Sequence, residues 1–233
     1  PDDLKRLQGC GIAAGLSAAF SAPLAGVFFL VEEITFNFTP KEVLTALAAA
    51  MSSDLMTLFF FGTQPCLYLP LEKSLPLTSY WFVTIMGVAL GLLAHLYQYC
   101  LLSLKPVYSK LTKIPKLYHC SIPLLLGIPI GLWNATLLGG SHDFISSLFE
   151  PIFMKNIQTG TLSLMLLPLI WFIVRFIFSM ISYGASVPGG IFMPILVLGA
   201  LLGVIFAVIM IHFNIAPKRC YGIIIVTSMC AYF

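Results

Sequence analysis

Charged residues are scarce in this chain of 233 residues. Lysine and arginine contribute 12, and aspartate and glutamate 9, so that charged residues make up 9% of the sequence. A typical soluble domain has about 25%. The mean hydropathy of +0.99 is too high for a surface that faces water on all sides, and the net charge of +3 is too small to bind a phosphate backbone. These absences exclude a soluble globular domain, a disordered chain and a nucleic-acid-binding protein.

Motifs for metal binding, disulfide formation and catalysis are also missing. The six cysteines include no C-x-x-C pair, which indicates isolated thiols in membrane helices. The four histidines include no pair at i, i+4 spacing, so no metal site is predicted. Because a nucleophile–base pair and a phosphate-binding loop are absent too, the sequence predicts neither an enzyme nor a cofactor.

Long apolar runs take the place of the missing charge. They are continuous and lack the alternation of barrel strands, so the chain is expected to be an all-α, polytopic membrane protein. Proline and glycine interrupt several runs, which favours the broken helices of a channel or transporter over a simple anchor. The runs are Gly9–Ile34, Glu42–Phe61, Leu77–Leu104, Ser121–Leu138, Leu162–Tyr183, Gly190–Phe213 and Tyr221–Phe233, and the prolines within them are Pro23, Pro123, Pro129, Pro168 and Pro194, with Pro188 just ahead of one.

The two ends of the chain and the distribution of its lysines each lead to an expectation. No initiator methionine or signal sequence is present, and the last run is only 13 residues long, so we expect a central piece of a longer protein. The linker Lys105–Lys116 holds four lysines and no acid, which predicts a cytoplasmic position. The loop 62–76 is then external, and Glu32 and Glu33 lie near the cytoplasmic face.

Glycines spaced one helical turn apart recur along the chain. Such a pair lets a neighbouring backbone approach closely, so each is predicted to be a packing site, although chance occurrence is common in apolar sequence. The pairs are Gly11/Gly15, Gly87/Gly91, Gly127/Gly131 and Gly199/Gly203.

The first segment that bears on function ends in two adjacent carboxylates. Pro23 is suited to the first turn of a short helix that ends at Glu32 and Glu33. Adjacent residues on an α-helix point about 100° apart, so one acid can face water while the other faces protein. A solvated helix end would explain both acids, but their place at the unfavourable end of the helix dipole favours a function.

The second segment contains a helix break at membrane depth. Val187-Pro188-Gly189-Gly190 cannot continue a helix, and a long apolar helix is predicted to begin at Gly190–Phe192, in the interior of the protein. Free N–H groups at such a start stabilise an anion without a full countercharge, which allows both binding and release. An ordinary break between two helices is the alternative.

Together the two segments resemble the CLC family of chloride channels and chloride/proton antiporters. The family motif G-x-P-G-G-I-F-x-P is similar to residues 185–194, and A-A-x-F-x-A-P-L-A-G-x-x-F-x-x-E-E is similar to Ala18 through Glu33. Both motifs are long and stand in the right order. The resemblance covers essentially the whole chain.

The resemblance implies a fold of tilted and re-entrant helices in an inverted repeat, incomplete here. The chain would be a single transmembrane domain with the end of the first repeat at about 1–62 and most of the second at about 77–233. The implied function is chloride transport across the cell membrane, as H+/Cl− exchange or, alternatively, through a passive voltage-gated channel without proton coupling. A homodimer among membrane lipids is implied as well. An intramembrane enzyme and a non-transporting scaffold are the rivals from other classes.

The resemblance also implies roles for five residues. The backbone N–H groups of Gly190, Ile191 and Phe192 would bind chloride, the ligand that replaces a cofactor here. Glu33 corresponds to the intracellular proton glutamate, an acid in antiporters and an apolar residue in channels, and its partial burial would favour proton uptake. Arg175 is either a pathway charge or a structural residue with a partner such as a backbone carbonyl. The family's serine loop, external gating glutamate and anion-contacting tyrosine are expected outside the chain.

Overall fold

Helices account for nearly all of the chain that the computed structural model describes. The described residues are 2–36, 39–62, 69, 75–109, 118–138, 142–150, 162–185 and 190–233, and they contain no β-strand. This confirms the predicted all-α class. The chain divides into two compact units, Pro1–Tyr68 and Leu69–Phe233, and each is described by itself.

The first unit consists of three helices and a π-helical turn. Helix α1 is Asp2–Phe20, α2 is Pro23–Phe29 followed by the π turn Leu30–Thr35, and α3 is Pro40–Phe61. Pro23 occupies the first turn of α2, where its missing N–H costs nothing, as predicted. Ser21, with φ of 49°, separates α1 from α2, so the predicted run Gly9–Ile34 is two helices.

Small residues hold these three helices together. The core of the unit contains Ala13, Val27, Leu30, Ala46 and Ala50. A methyl group added at Gly26 would lie 2.7 Å from the carbonyl oxygen of Ala13, so only glycine fits that crossing. The buried Ser17 hydroxyl donates a hydrogen bond to the Ala50 carbonyl at 2.9 Å, which ties α1 to α3.

The second unit is built around one enclosed helix, α8. Helix α8 packs against α4, α7 and α9, and its residues from Val197 to Val204 are all buried. The helices of this unit are α4 (Tyr80–Ser109), α5 (Ser121–Trp133), α6 (His142–Leu148), α7 (Leu166–Gly184), α8 (Phe192–His212) and α9 (Tyr221–Tyr232).

The four glycine pairs have different surroundings. Methyl groups at Gly199 and Gly203 would lie 2.9 Å from Met229 Cα and 2.8 Å from Ile225 Cα, so this pair brings α8 and α9 together as predicted. The pair Gly127/Gly131 faces side chains of Phe178 and Leu138. In contrast, a methyl group added at any glycine of the remaining two pairs, Gly11/Gly15 and Gly87/Gly91, would meet no described atom within 4 Å outside its own helical turns.

Most of the interrupting prolines do not break helices. Pro123, Pro168 and Pro194 lie in the first turns of α5, α7 and α8, where the proline lacks only an N–H that the helix does not use. Pro129 lies inside α5 without ending it, and the unpredicted Pro106 does the same in α4. Pro188 lies outside the described residues.

Two segment boundaries also differ from prediction. Helix α4 continues to Ser109, so the first part of the predicted linker Lys105–Lys116 is helical, while 110–117 lies outside the described residues. Helix α6 was not predicted, because His142–Leu148 is short and carries polar residues among its apolar ones. Among the described residues, four helices are long and apolar enough to cross a membrane: Pro40–Phe61, Leu77–Leu104 (with a 3-10 turn before α4), Leu166–Gly184 and Phe192–His212.

Candidate functional site

The predicted anion site lies at the start of α8. The helix begins at Phe192 with Ile191 as its N-cap residue, within the predicted start Gly190–Phe192. The N–H of Ile195 donates to the Ile191 carbonyl at 3.1 Å, which closes the first turn. Pro194 in that turn has no N–H, so Phe192 and Met193 supply the N–H groups of the first turn.

The surroundings of this helix start differ from prediction in one respect. Gly190 is exposed, and Ile191 and Phe192 are half-buried, whereas complete burial of α8 begins at Val197. The predicted interior position is therefore not formed by this chain. The Phe192 ring makes an edge contact with the ring of Phe233, with 5.0 Å between centroids, so the end of α9 lies beside the start of α8.

Glu32 and Glu33 lie in the π turn after α2. In a π-helical turn the backbone hydrogen bonds run from i to i+5, so the spacing assumed for an α-helix was wrong here. Both side chains are exposed, which contradicts the expected partial burial of Glu33. The turn ends at Phe36 with φ of 49°, and the Thr35 hydroxyl donates to the Leu30 carbonyl at 3.2 Å. Such turns occur often at functional sites.

Glu33 belongs to the first unit, and Ile191 and Phe192 belong to the second.

Arg175 has an aromatic neighbour. Its guanidinium carbon lies 5.3 Å from the centroid of the Phe144 ring, a cation–π contact between α7 and α6. The Phe144 ring also meets Trp171 edge-on at 5.4 Å. Trp171 and Arg175 are one turn apart on α7, so both side chains hold the short helix α6. This favours the structural role for Arg175, with the face of the Phe144 ring as one of its partners.

Three contacts near these residues were not predicted. Phe144 contacts Arg175, and Phe233 contacts Phe192. No sequence pattern marks either phenylalanine as a partner, because the contacts join segments that are distant in sequence. The Tyr97 hydroxyl donates to Ser179 Oγ at 3.3 Å and links α4 to α7. A polar residue at depth in an apolar run is the signal that could have found Ser179.

Comparison with known proteins identifies relatives over most of the chain. The profile of the Voltage gated chloride channel family matches residues 1–233. The H(+)/Cl(-) exchange transporter ClcA of Citrobacter koseri is 32% identical over 206 residues, which are 86% of this chain and 41% of that protein. ClcA of Klebsiella pneumoniae is 29% identical over 212 residues, 88% of this chain and 43% of that protein. The chain thus spans less than half the length of these relatives.

Two solved structures share the fold. A slow cyanobacterial Cl-/H+ antiporter superposes with a TM-score of 0.69 at 26% identity, over 87% of this chain and 46% of that one. A CLC-type fluoride/proton antiporter gives a TM-score of 0.71 at 19% identity, over 95% and 52%, a likeness of fold alone.

These findings agree with the four helices that are long enough to span a membrane. The chain is part of a multi-pass integral membrane protein with helices of the CLC fold. Since the family profile extends over every residue from 1 to 233, the chain belongs to the voltage gated chloride channel family.

Proposed function

We propose that the protein containing this chain exchanges chloride for protons across a membrane. The observation that carries the proposal is the similarity to H(+)/Cl(-) exchange transporters over 86% of the chain. The acid at position 33 agrees with it, because the family resemblance gives antiporters an acid there and channels an apolar residue. Transport is proposed rather than catalysis, in keeping with relatives that are transporters.

Chloride is proposed to bind at the start of α8. The N–H groups of this end carry the positive end of the helix dipole, and Gly190, Ile191 and Phe192 bring the backbone to the ion. Partial charges bind the anion weakly enough for it to leave. Because Gly190 is exposed here, the rest of the site is proposed to come from parts of the protein beyond this chain.

Proton transfer is proposed for Glu33. Its exposed carboxylate is open to protons from the aqueous phase. A carboxylate can bind and release a proton, whereas an apolar side chain at the same place cannot.

The remaining proposals are a homodimer in a lipid bilayer, and a single transmembrane domain made of the end of one repeat and most of a second.

The first prediction tests this function with the full-length protein in liposomes. Glu33→Gln keeps the shape of the side chain but cannot carry a proton, so chloride-driven proton movement is expected to stop while chloride flux continues. Proton movement is measured with a pH electrode and chloride flux with a chloride electrode.

Glu32→Gln is the matched control, because Glu32 is the adjacent exposed acid on the same π turn. It is expected to leave proton movement largely intact. If the unsubstituted protein moves chloride without proton counterflow, the passive channel becomes the proposed function in place of exchange. A folded Glu33→Gln protein that no longer moves chloride would contradict separate routes for the two ions.

A further inference from the structure

One face of α4 carries polar side chains that point away from the rest of the second unit. Thr84, His95 and Gln98 are all exposed, and at about 100° per residue they point within about 60° of one another. These three residues form a polar stripe. The buried residues of the helix lie on the opposite side, where α4 packs against α7, α8 and α9, and they are Phe82, Met86, Leu90 and Tyr97.

The polar stripe lies within the membrane-spanning part of α4. The middle of the span Leu77–Leu104 falls between positions 90 and 91, and the three residues are about 7–11 Å from it along the helix axis. Half of the hydrocarbon thickness is about 15 Å. Polar side chains at this depth are costly against lipid and are normally directed towards protein. The position of the stripe therefore indicates that protein covers it.

Helix α7 has the exposed surface that is expected of a helix in contact with lipid. Like α4 it is mostly unburied, with 17% of its membrane-spanning window enclosed against 22% for α4. Its exposed residues are all leucine or isoleucine: Leu166, Leu167, Leu169, Ile170, Ile173 and Ile177. On α4, large aliphatic residues form a flank beside the polar stripe, which includes Ile85, Leu92 and Leu96. Lipid contact explains that flank but not the stripe.

The polar stripe has hydrogen-bonding groups that the described residues do not use. The Thr84 hydroxyl donates to the Tyr80 carbonyl of its own helix at 3.4 Å, whereas His95 and Gln98 form no hydrogen bond with another described residue. Both side chains contain donors and acceptors. Their partner at this depth is itself helical, because a backbone within the hydrocarbon must satisfy its own hydrogen bonds.

We propose that the polar stripe binds a membrane-spanning helix from the part of the same protein that lies beyond this chain. That helix presents a hydrogen-bonding side chain to His95 and Gln98, as serine, threonine, asparagine and glutamine do between membrane helices. The chain covers 41% and 43% of two ClcA relatives, so more than half of such a protein is available to supply the helix. The hydrocarbon of the lipid has neither donors nor acceptors to offer.

Substitutions in the stripe test its hydrogen bonds. Against lipid, His95→Leu and Gln98→Leu would be neutral or stabilising, because they remove a polar group from the hydrocarbon. Against a helix, each is expected to lower the melting temperature of the full-length protein in detergent, because the partner's polar group is left unpaired. Ser103→Leu is the control, since Ser103 is exposed on the same helix but donates to the Tyr99 carbonyl at 2.8 Å. Melting temperatures of both stripe variants at or above that of Ser103→Leu overturn the proposal.

Photo-crosslinking identifies what covers the stripe and does not depend on those variants folding. The full-length protein is expressed with p-benzoylphenylalanine at Val88, a 62% exposed residue beside the stripe, and is irradiated in its native membrane. The product is expected to run at the monomer mass and to join position 88 to a peptide beyond residues 1–233. Ile173 on α7 is the control position, where phospholipid adducts are expected. A phospholipid adduct at position 88, a crosslink within residues 1–233, a product of dimer mass or no product overturns the proposal.

Discussion

At the scale of single residues, Arg175 shows how a cation is accommodated in an apolar helix. A charge inside a membrane-spanning segment is costly and requires a partner. The face of the Phe144 ring is partly negative, and its centroid lies 5.3 Å from the guanidinium carbon. The same contact ties α6, which carries Phe144, to α7. The charge therefore contributes to the assembly of α6 and α7.

The second prediction measures this contact with a double-mutant cycle. Phe144→Leu and Arg175→Met remove the ring and the charge, and their effects on the unfolding free energy in detergent are expected to couple by about 0.5–2 kcal/mol. Phe82→Leu is the control in place of Phe144→Leu, because the Phe82 ring contacts Phe206 instead. Additive effects of Phe144→Leu and Arg175→Met would show that the charge and ring do not interact.

At the scale of elements, the crossing of α8 and α9 depends on two glycines. Their hydrogen atoms allow the backbones of the two helices to touch near Ile225 and Met229. Glycine weakens a helix by about 1 kcal/mol relative to alanine. Close packing of the two backbones compensates for that cost.

The third prediction concerns these glycines. Gly203→Ala places a methyl group 2.8 Å from Ile225 Cα, and the strain is expected to lower the stability by about 1–3 kcal/mol. Gly91→Ala is the matched control on α4, where the added methyl group would meet no described atom within 4 Å outside its own helical turns, and it is expected to be neutral or stabilising. Thermal unfolding of both variants in the same detergent measures the difference, and equal melting temperatures would contradict it.

The elements also show what sequence could and could not predict. Long apolar runs predict α3, α4, α7 and α8 to within a few residues, because burial in lipid requires continuous hydrophobicity. Helix α6 has no such run, and its contact with Arg175 joins positions 31 apart in sequence. The start of α8 follows from Pro188-Gly189-Gly190, but its exposure depends on neighbours that this local pattern does not specify. The π turn at Glu33 has no local signal that separates it from an α-helix.

At the scale of the whole molecule, the orientation in the membrane remains a prediction from the lysines. The segment 105–116 is expected in the cytoplasm and the loop 62–76 outside. Residues 110–116 of this segment, and residues 63–68 and 70–74 of the loop, lie outside the described part of the chain.

The fourth prediction tests this orientation in intact cells that express the full-length protein. Leu111→Cys is expected to react with a membrane-impermeant maleimide only after the cells are opened. Thr63→Cys, in the loop predicted to be external, is expected to react from outside. The unsubstituted protein measures the background from native cysteines. Labelling of position 111 in unopened cells would reverse the predicted orientation.

The enclosure of α8 has a mechanical consequence. Of its membrane-spanning window, 72% of the residues are buried within the protein, against 11% for α3, 22% for α4 and 17% for α7. A bilayer that thins or thickens exerts its force on helices that touch lipid, and these respond by tilting. Helix α8 is shielded by its neighbours from that force. The helix whose start is proposed to hold chloride is thus expected to be decoupled from bilayer thickness, while α4 and α7, which pack against it, take up the deformation.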